Sequence, residues 1–225
     1  MGEAIGQILP LAIGVALSPV PMVAVILMLV TPRAGSNGPA FILGWLLGLT
    51  IVGVLMLGLA GPAANDDGDP ASWVSWLKLA LGAALLLLLA AKQWRGRPHG
   101  DEEPPAPKWM GAIDGFTPVK ALGAGAVLSA ANPKNLLIAV GAAAAIAQTG
   151  IPGGEQAIAY AVFVIVGTIG VGAPVVIYFA LGERAGPILD RLKQWMAHNN
   201  GVIMAVLLLV IGVKLIGDAI TGLVS

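Results

Sequence analysis

Lys134 stands in the middle of an apolar run from 121 to 148, inside the motif Asn132-Pro133-Lys134-Asn135. It is fourteen residues beyond Lys120, roughly 20 Å along a helix rising about 1.5 Å per residue. Its stem cannot readily carry the ammonium to either interface, so the charge must face a bundle interior or a wet cavity. Two readings stay open. The ammonium bonds carbonyls freed by Pro133 or Pro19, or it contacts an anionic group of a substrate; the roles are compatible. Asn132 and Asn135 bracket it with amides that both donate and accept, fit to cap a helix end or to bond a substrate hydroxyl. Asn132 lies before a proline at a first helical position, a preferred N-cap arrangement. Ser18 precedes Pro19 in the same way within Ser18-Pro19-Val20-Pro21. If both residues cap, two helix N-termini converge, each suited to a phosphate, sulfate or carboxylate. The expected substrate site is therefore Ser18, Pro19, Pro21, Asn132, Pro133, Lys134 and Asn135.

Other charged residues carry less. Lys214 and Asp218 are four residues apart in an apolar run, read as an ion pair on one helical face, with proton coupling through Asp218 as the alternative. Lys78 is expected to snorkel to the outer interface. Asp114 and Lys120 flank Phe116-Thr117-Pro118 and mark either a helix start or an entrance for a polar headgroup. Ser18 and Ser129 have no histidine in any apolar run to act as a base, so no catalytic residue and no enzyme activity is expected. The chain has no cysteine, and His99 and His198 lie in polar segments. That speaks against a metal site, redox chemistry or any cofactor. No Walker-type phosphate loop occurs, and a net charge of zero gives no field for nucleic acid.

The elements that position these residues are membrane helices. The chain is 57% hydrophobic and 11% charged, with a mean hydropathy of +0.88, whereas a soluble domain carries about 25% charge. Six runs reach the ~20 residues a crossing needs: 4–30, 38–60, 72–92, 121–148, 156–182 and 200–222. The first and fourth are the longest and hold the proline motifs, as expected of two half-helices joined by unwound backbone. Nine of the twelve basic residues flank or occupy the connections after the first, third and fifth runs. Loop 61–71 holds Asp66, Asp67 and Asp69 with no basic residue, and loop 149–155 holds none either. The positive-inside rule then puts both termini outside the plasma membrane. Trp73 and Trp76, and Trp94 beyond, fit interfacial positions. With no basic residue before the first run, nothing resembles a cleaved signal, and that run is expected to stay.

The segment 93–119, with Asp101-Glu102-Glu103 and Pro104, Pro105 and Pro107, reads as a cytoplasmic linker. It divides a single transmembrane domain into a first three-helix repeat (1–92) and a second (120–225). The second begins on the opposite side, and each opens with its broken helix, the plan of inverted-repeat transporters. The expected fold is all-α: six transmembrane helices as two inverted repeats, helices one and four broken. Gly44-x-x-x-Gly48, Gly14-x-x-x-Ser18 and Gly141-x-x-x-Ala145 are read as packing seams within one bundle, with a homodimer seam as the alternative. Gly167, Gly170 and Gly172 before Pro174 suggest a hinge. Residues 184–197 suggest a separate short interfacial helix presenting Ile188, Leu189, Leu192, Trp195 and Met196.

The Ser-Pro-x-Pro break in the first run, together with Gly115-Phe116-Thr117-Pro118-Val119-Lys120-Ala121 leading to Asn132-Pro133-Lys134-Asn135, resembles the LysE superfamily of exporters. It is most similar to the actinobacterial GAP or Sap branch, the glycolipid- and sulfolipid-addressing proteins. Amino-acid-exporting relatives usually carry Pro-Gly-Pro where this chain has Pro19-Val20-Pro21, which favours the lipid-addressing branch. The resemblance implies movement of a cell-envelope glycolipid or its precursor across the plasma membrane. The expected activity is a secondary exporter or flippase for a lipid with a polar, anionic headgroup, with membrane lipids and envelope lipid-export proteins as partners. Export of a small zwitterion such as an amino acid is the alternative. A non-transporting scaffold for a larger export system is the third reading.

Overall fold

The computed structural model describes residues 1–60, 72–95 and 115–224. Asp114, the acidic loop 61–71 and residues 96–114 of the linker lie outside the described residues, as do the side chains of Trp73 and Trp94. The described residues are almost entirely helical. In chain order the helices are α1 (Gly2–Ala16), α2 (Pro19–Leu29), α3 (Ala34–Ala60), α4 (Ser72–Arg95), α5 (Pro118–Ala130), α6 (Pro133–Ala147), α7 (Gly153–Leu181) and α8 (Ala185–Val224). A 3-10 turn, Gly182–Arg184, joins the last two.

Both proline motifs break their helices. α1 and α2 are bent by 50°, and α5 and α6 by 61°. In each motif the first proline is the first residue of the second half-helix. There its missing N–H would be without an intrahelical partner anyway, and its fixed φ suits a helix start. Pro21, two residues further, still lies in that donor-poor first turn. The first intrahelical bond of α2 runs from Met22 N to Ser18 O, 3.2 Å.

By length and composition, Ala34–Leu59 and the stretch Gly153–Leu223 can cross a membrane, and each bent pair passes when taken as one crossing. The apolar part of α4, Ser75–Ala91, is shorter. The 71-residue stretch comprises α7 and α8, separated where Gly182 adopts φ +54°. The large exposed apolar residues, including Ile51, Val54, Leu87, Ile165 and Val176, form an outer surface suited to lipid rather than water.

Small residues set the closest helix contacts. An added Cβ at Gly44 of α3 would lie 1.9 Å from Leu122 O of α5, and one at Gly125 would lie 2.1 Å from Phe41 O. At the breaks themselves, a Cβ on Gly48 of α3 would sit 2.0 Å from Ser129 Oγ of α5, and one on Gly170 of α7 would sit 1.8 Å from Ala16 O of α1. Gly44 thus packs within the bundle. Gly170, expected to be part of a hinge, is instead pressed on the end of α1, and Gly167 likewise meets Val15. α4 packs along α8, and α6 is seated centrally against α1, α3 and α4.

Residues 184–197 do not form a separate helix. Apart from Arg184, which ends the 3-10 turn, they are the first turns of α8, which runs unbroken for 40 residues, about 60 Å at ~1.5 Å per residue. Pro187 falls in its first turn, and no later proline removes a donor. The buried stripe Ala185, Leu189, Met196, Leu208, Ile211, Leu215 and Ala219 continues at helical spacing. Ile188 and Trp195 are exposed, and Leu189 and Met196 are buried.

Candidate functional site

The two breaks meet. Lys134, on the first turn of α6, donates from Nζ to Gly14 O at 2.7 Å and to Ser18 Oγ at 2.8 Å, with Leu17 O at 3.5 Å. Gly14 and Leu17 belong to the end of α1, where the last carbonyls lack intrahelical partners and the macrodipole is negative. Ser18 Oγ lies 2.7 Å from Val15 O and 2.8 Å from Asn135 Oδ1, and its single proton serves one acceptor at a time. Val15 O is the carbonyl that Pro19, having no N–H, leaves without its helical donor. Asn135 Nδ2 in turn donates to Leu128 O, 2.9 Å, in the last turns of α5. Asn132 N bonds Val127 O instead of Leu128 O, which frees that acceptor.

Ser18, Lys134 and Asn135 are each at least 95% buried. They join carbonyls released at both breaks into one network spanning α1, α5 and α6. Of the two readings of Lys134, this geometry realises the bond to freed carbonyls. It also removes any need for the ammonium to reach an interface.

The capping expectation divides. Asn132 caps α6: its Oδ1 accepts from Lys134 N at 3.1 Å. Ser18 occupies the equivalent position of α2 but makes no side-chain cap. Its hydroxyl is drawn to Val15, Asn135 and Lys134, three partners a sequence motif cannot reveal. The pair of N-termini is also a poorer anion site than expected. Pro19 and Pro21 have no N–H, so Val20 alone offers a free donor in the first three residues of α2. At α6 Pro133 has none, and the Lys134 N–H is taken by Asn132. Positive charge here comes from the Lys134 side chain rather than from aligned backbone donors.

Asn132, Pro133 and Lys134 form one wall of a partly open cleft of about 290 Å³, completed by Leu88 and Ala91 of α4 and Met204 and Leu208 of α8. Leu88 and Ala91 are exposed and Met204 and Leu208 are half-buried or buried. The cleft is mostly apolar with a polar edge at the break. A second groove, about 420 Å³, runs along α7 from Ile165 to Ile177 and touches none of the expected site residues.

The remaining expected residues lie apart from this network. Lys214 and Asp218 pair through Nζ and Oδ2. Lys120 is exposed at the start of α5, where Thr117 supplies the cap, its Oγ1 accepting from Lys120 N at 3.4 Å. Lys78 does not snorkel: it is 1% exposed and donates to Oε1 of Gln148, the residue that ends α6. The interior offered an acceptor that the lone helix could not show. Gln148 and Ser75, bonded to each other at 2.8 Å, were not singled out from the sequence. Neither was Asn37, fully buried with Nδ2 on Phe116 O at 3.1 Å. The signal for each was a polar residue near the end of an apolar run. Among the described residues, no group of three or more His, Cys, Asp or Glu is placed to hold a metal ion.

A helical bundle with an apolar outer surface and two proline-broken helices meeting through a buried lysine defines a polytopic membrane protein. The model of the family described as Sap, sulfolipid-1-addressing protein, matches residues 8–221, and the chain belongs to that family. No curated protein and no solved structure matches it.

Proposed function

We propose that this protein is a secondary exporter or flippase, not an enzyme. It moves a glycolipid or lipid precursor with a polar headgroup across the plasma membrane. The observation that carries this reading is the apolar cleft closed at one edge by the Asn132–Lys134 break. An acyl chain fits the Leu88, Ala91, Met204 and Leu208 wall, while the headgroup meets Asn132 and the positive charge of Lys134. A small zwitterion would gain little from such a wall. Membership of the sulfolipid-addressing family supports a lipid cargo.

Six crossings in two inverted three-helix repeats, 1–92 and 120–225, supply the moving parts. Pairing α1 with α5, α2 with α6, α3 with α7 and α4 with α8 supports this symmetry, because most packing contacts then have a counterpart. α3 on α5 matches α7 on α1, α4 on α6 matches α8 on α2, and α3 on α6 matches α7 on α2. Rocking one repeat against the other would expose the cleft to each side in turn. Both termini then lie outside. In support, the N-terminal amine is 3.6 Å from Glu155, so the N-terminus shares a face with the loop before α7, which lacks basic residues.

Lipid analysis of surface-extracted against whole-cell material in a deletion strain tests this. One lipid class should fall at the surface and accumulate inside, and plasmid-borne wild type should restore it. An unchanged lipid distribution with raised cytosolic amino acids would overturn the lipid reading.

A further inference from the structure

A second polar cluster joins the ends of α4, α6 and α8. Lys78 is 1% exposed and donates to Gln148 Oε1, while Gln148 Nε2 donates to Ser75 Oγ at 2.8 Å. Gly222 of α8 is packed against Ser75 and Gln148, and Asp218 and Lys214 lie one and two turns before it on the same helix, alongside α4. The charge balance is uneven. Among the described residues the one carboxylate of this cluster pairs with Lys214, so the buried Lys78 ammonium is bonded to a neutral amide. A buried charge without a counter-charge is costly, and two changes relieve it. Lys78 releases a proton, or Asp218 turns from Lys214 to Lys78.

We infer that Lys78 is a proton-exchange site that switches Asp218 between Lys214 on its own helix and Lys78 on α4. With the proton on, the cluster carries one net positive charge, and the Asp218–Lys78 bridge ties α8 to α4. With the proton released to water, the cluster is neutral and Asp218 returns to Lys214, the arrangement this structure records. α4 and α8 belong to different halves of the chain, so the switch changes how the halves are held. This inference rests on the exporter reading and supplies its coupling ion.

A proton fits here better than an anion. A Cβ on Gly222 of α8 would already sit 2.6 Å from Ser75 Oγ and 3.3 Å from Gln148 Nε2, so the space beside Gln148 is filled. The side chains of Lys214 and Asp218 are 20% and 28% exposed, so the cluster is not sealed on its α8 side. Of the helices packed against α4 here, α6 contributes Gln148, which does not titrate, and α8 contributes Lys214 and Asp218.

Spin labels test the switch directly, because the chain has no native cysteine. Trp76 on α4 and Ile220 on α8 are 60% and 54% exposed and accept labels as Trp76→Cys and Ile220→Cys. Pulsed EPR distances would be measured on full-length protein in phosphatidylcholine/phosphatidylglycerol nanodiscs, in mildly acidic and mildly alkaline buffer. The distance distribution should shift with pH. Lys78→Arg should hold the acidic form at both pH values, and Lys78→Met the alkaline one. Asp218→Asn should abolish the shift. A distribution that ignores pH, or a response that survives Lys78→Met or Asp218→Asn, overturns the inference. If Lys78→Met fails to fold, Lys78→Arg and Asp218→Asn decide. The measurement needs no cargo. A pH shift without a lipid phenotype in the deletion strain would refute the exporter reading alone; a lipid phenotype without a pH shift would refute the switch alone.

Discussion

The two breaks share a backbone and differ in chemistry. Each bends its helix by 50° or more, each restarts at a proline, and each has a glycine of a helix from the other half packed beside it, Gly170 on Ala16 and Gly48 on Ser129. At the second break the Lys134 and Asn135 side chains donate, and Asn132 accepts. Lys134 reaches Gly14, Leu17 and Ser18, Asn135 reaches Leu128, and Asn132 caps its own half-helix. The first break contributes mainly carbonyls and one hydroxyl. A repeated fold can thus hold an asymmetric site, because backbone geometry follows from proline position while the network follows from which side chains occupy the turn. One break is a socket and the other its plug.

The largest effect should come from removing the plug. Lys134→Met leaves desolvated acceptors on α1 without their charged donor, and bonds to charged groups are worth about 1.5–3 kcal/mol. Thermal unfolding in detergent should shift by at least that equivalent, with export lost. If stability is unchanged, Lys134 does not brace the breaks. The symmetry of the braces can be tested next. Gly48→Leu and Gly170→Leu should each destabilise by about 1–3 kcal/mol or more through overpacking, and by similar amounts. A large cost at one and none at the other would break the equivalence of the two repeats.

A finer comparison sets the caps against each other. Asn132→Ala should cost about 1 kcal/mol by loss of the N-cap. Asn132→Asp, which keeps the acceptor, should recover most of it, as read by thermal unfolding. Ser18→Asp has no such capping role to preserve and should not recover Ser18→Ala. Equal rescue at both positions would mean that Ser18 also caps. The smallest effect belongs to Lys120→Ala. Its side chain is exposed, and such substitutions stay within about 0.5 kcal/mol. A marked loss of export with normal stability would instead assign Lys120 to headgroup capture.

Much of the site was legible before any geometry. Pro19, Pro21 and Pro133 announce breaks because a missing N–H has the same consequence in any helix. Lys134 stands out because an ammonium deep in an apolar run demands partners. Asn132 was readable as a cap, since capping needs only the two residues that follow. Ser18 was not, because its hydroxyl answers to Lys134 and Asn135, more than a hundred positions away. Lys78 was misjudged for the same reason: its acceptor, Gln148, comes from α6. The helix 184–197 was expected to stand alone because its amphipathic face was read without the stripe that continues to Ala219.

Local stereochemistry and hydrophobicity therefore determined from sequence alone that the chain is helical, suited to a membrane, and interrupted at Ser18–Pro19 and Asn132–Pro133. Each depends on a residue and its near neighbours. Only the tertiary structure decided that Lys134 spends its charge on the end of α1 and that Lys78 is buried on Gln148. It also decided that a cleft opens between α4 and α8 beside the second break. Those outcomes depend on which orphaned carbonyls and amides the packed helices bring within about 3 Å of a donor, and chain order does not encode that distance.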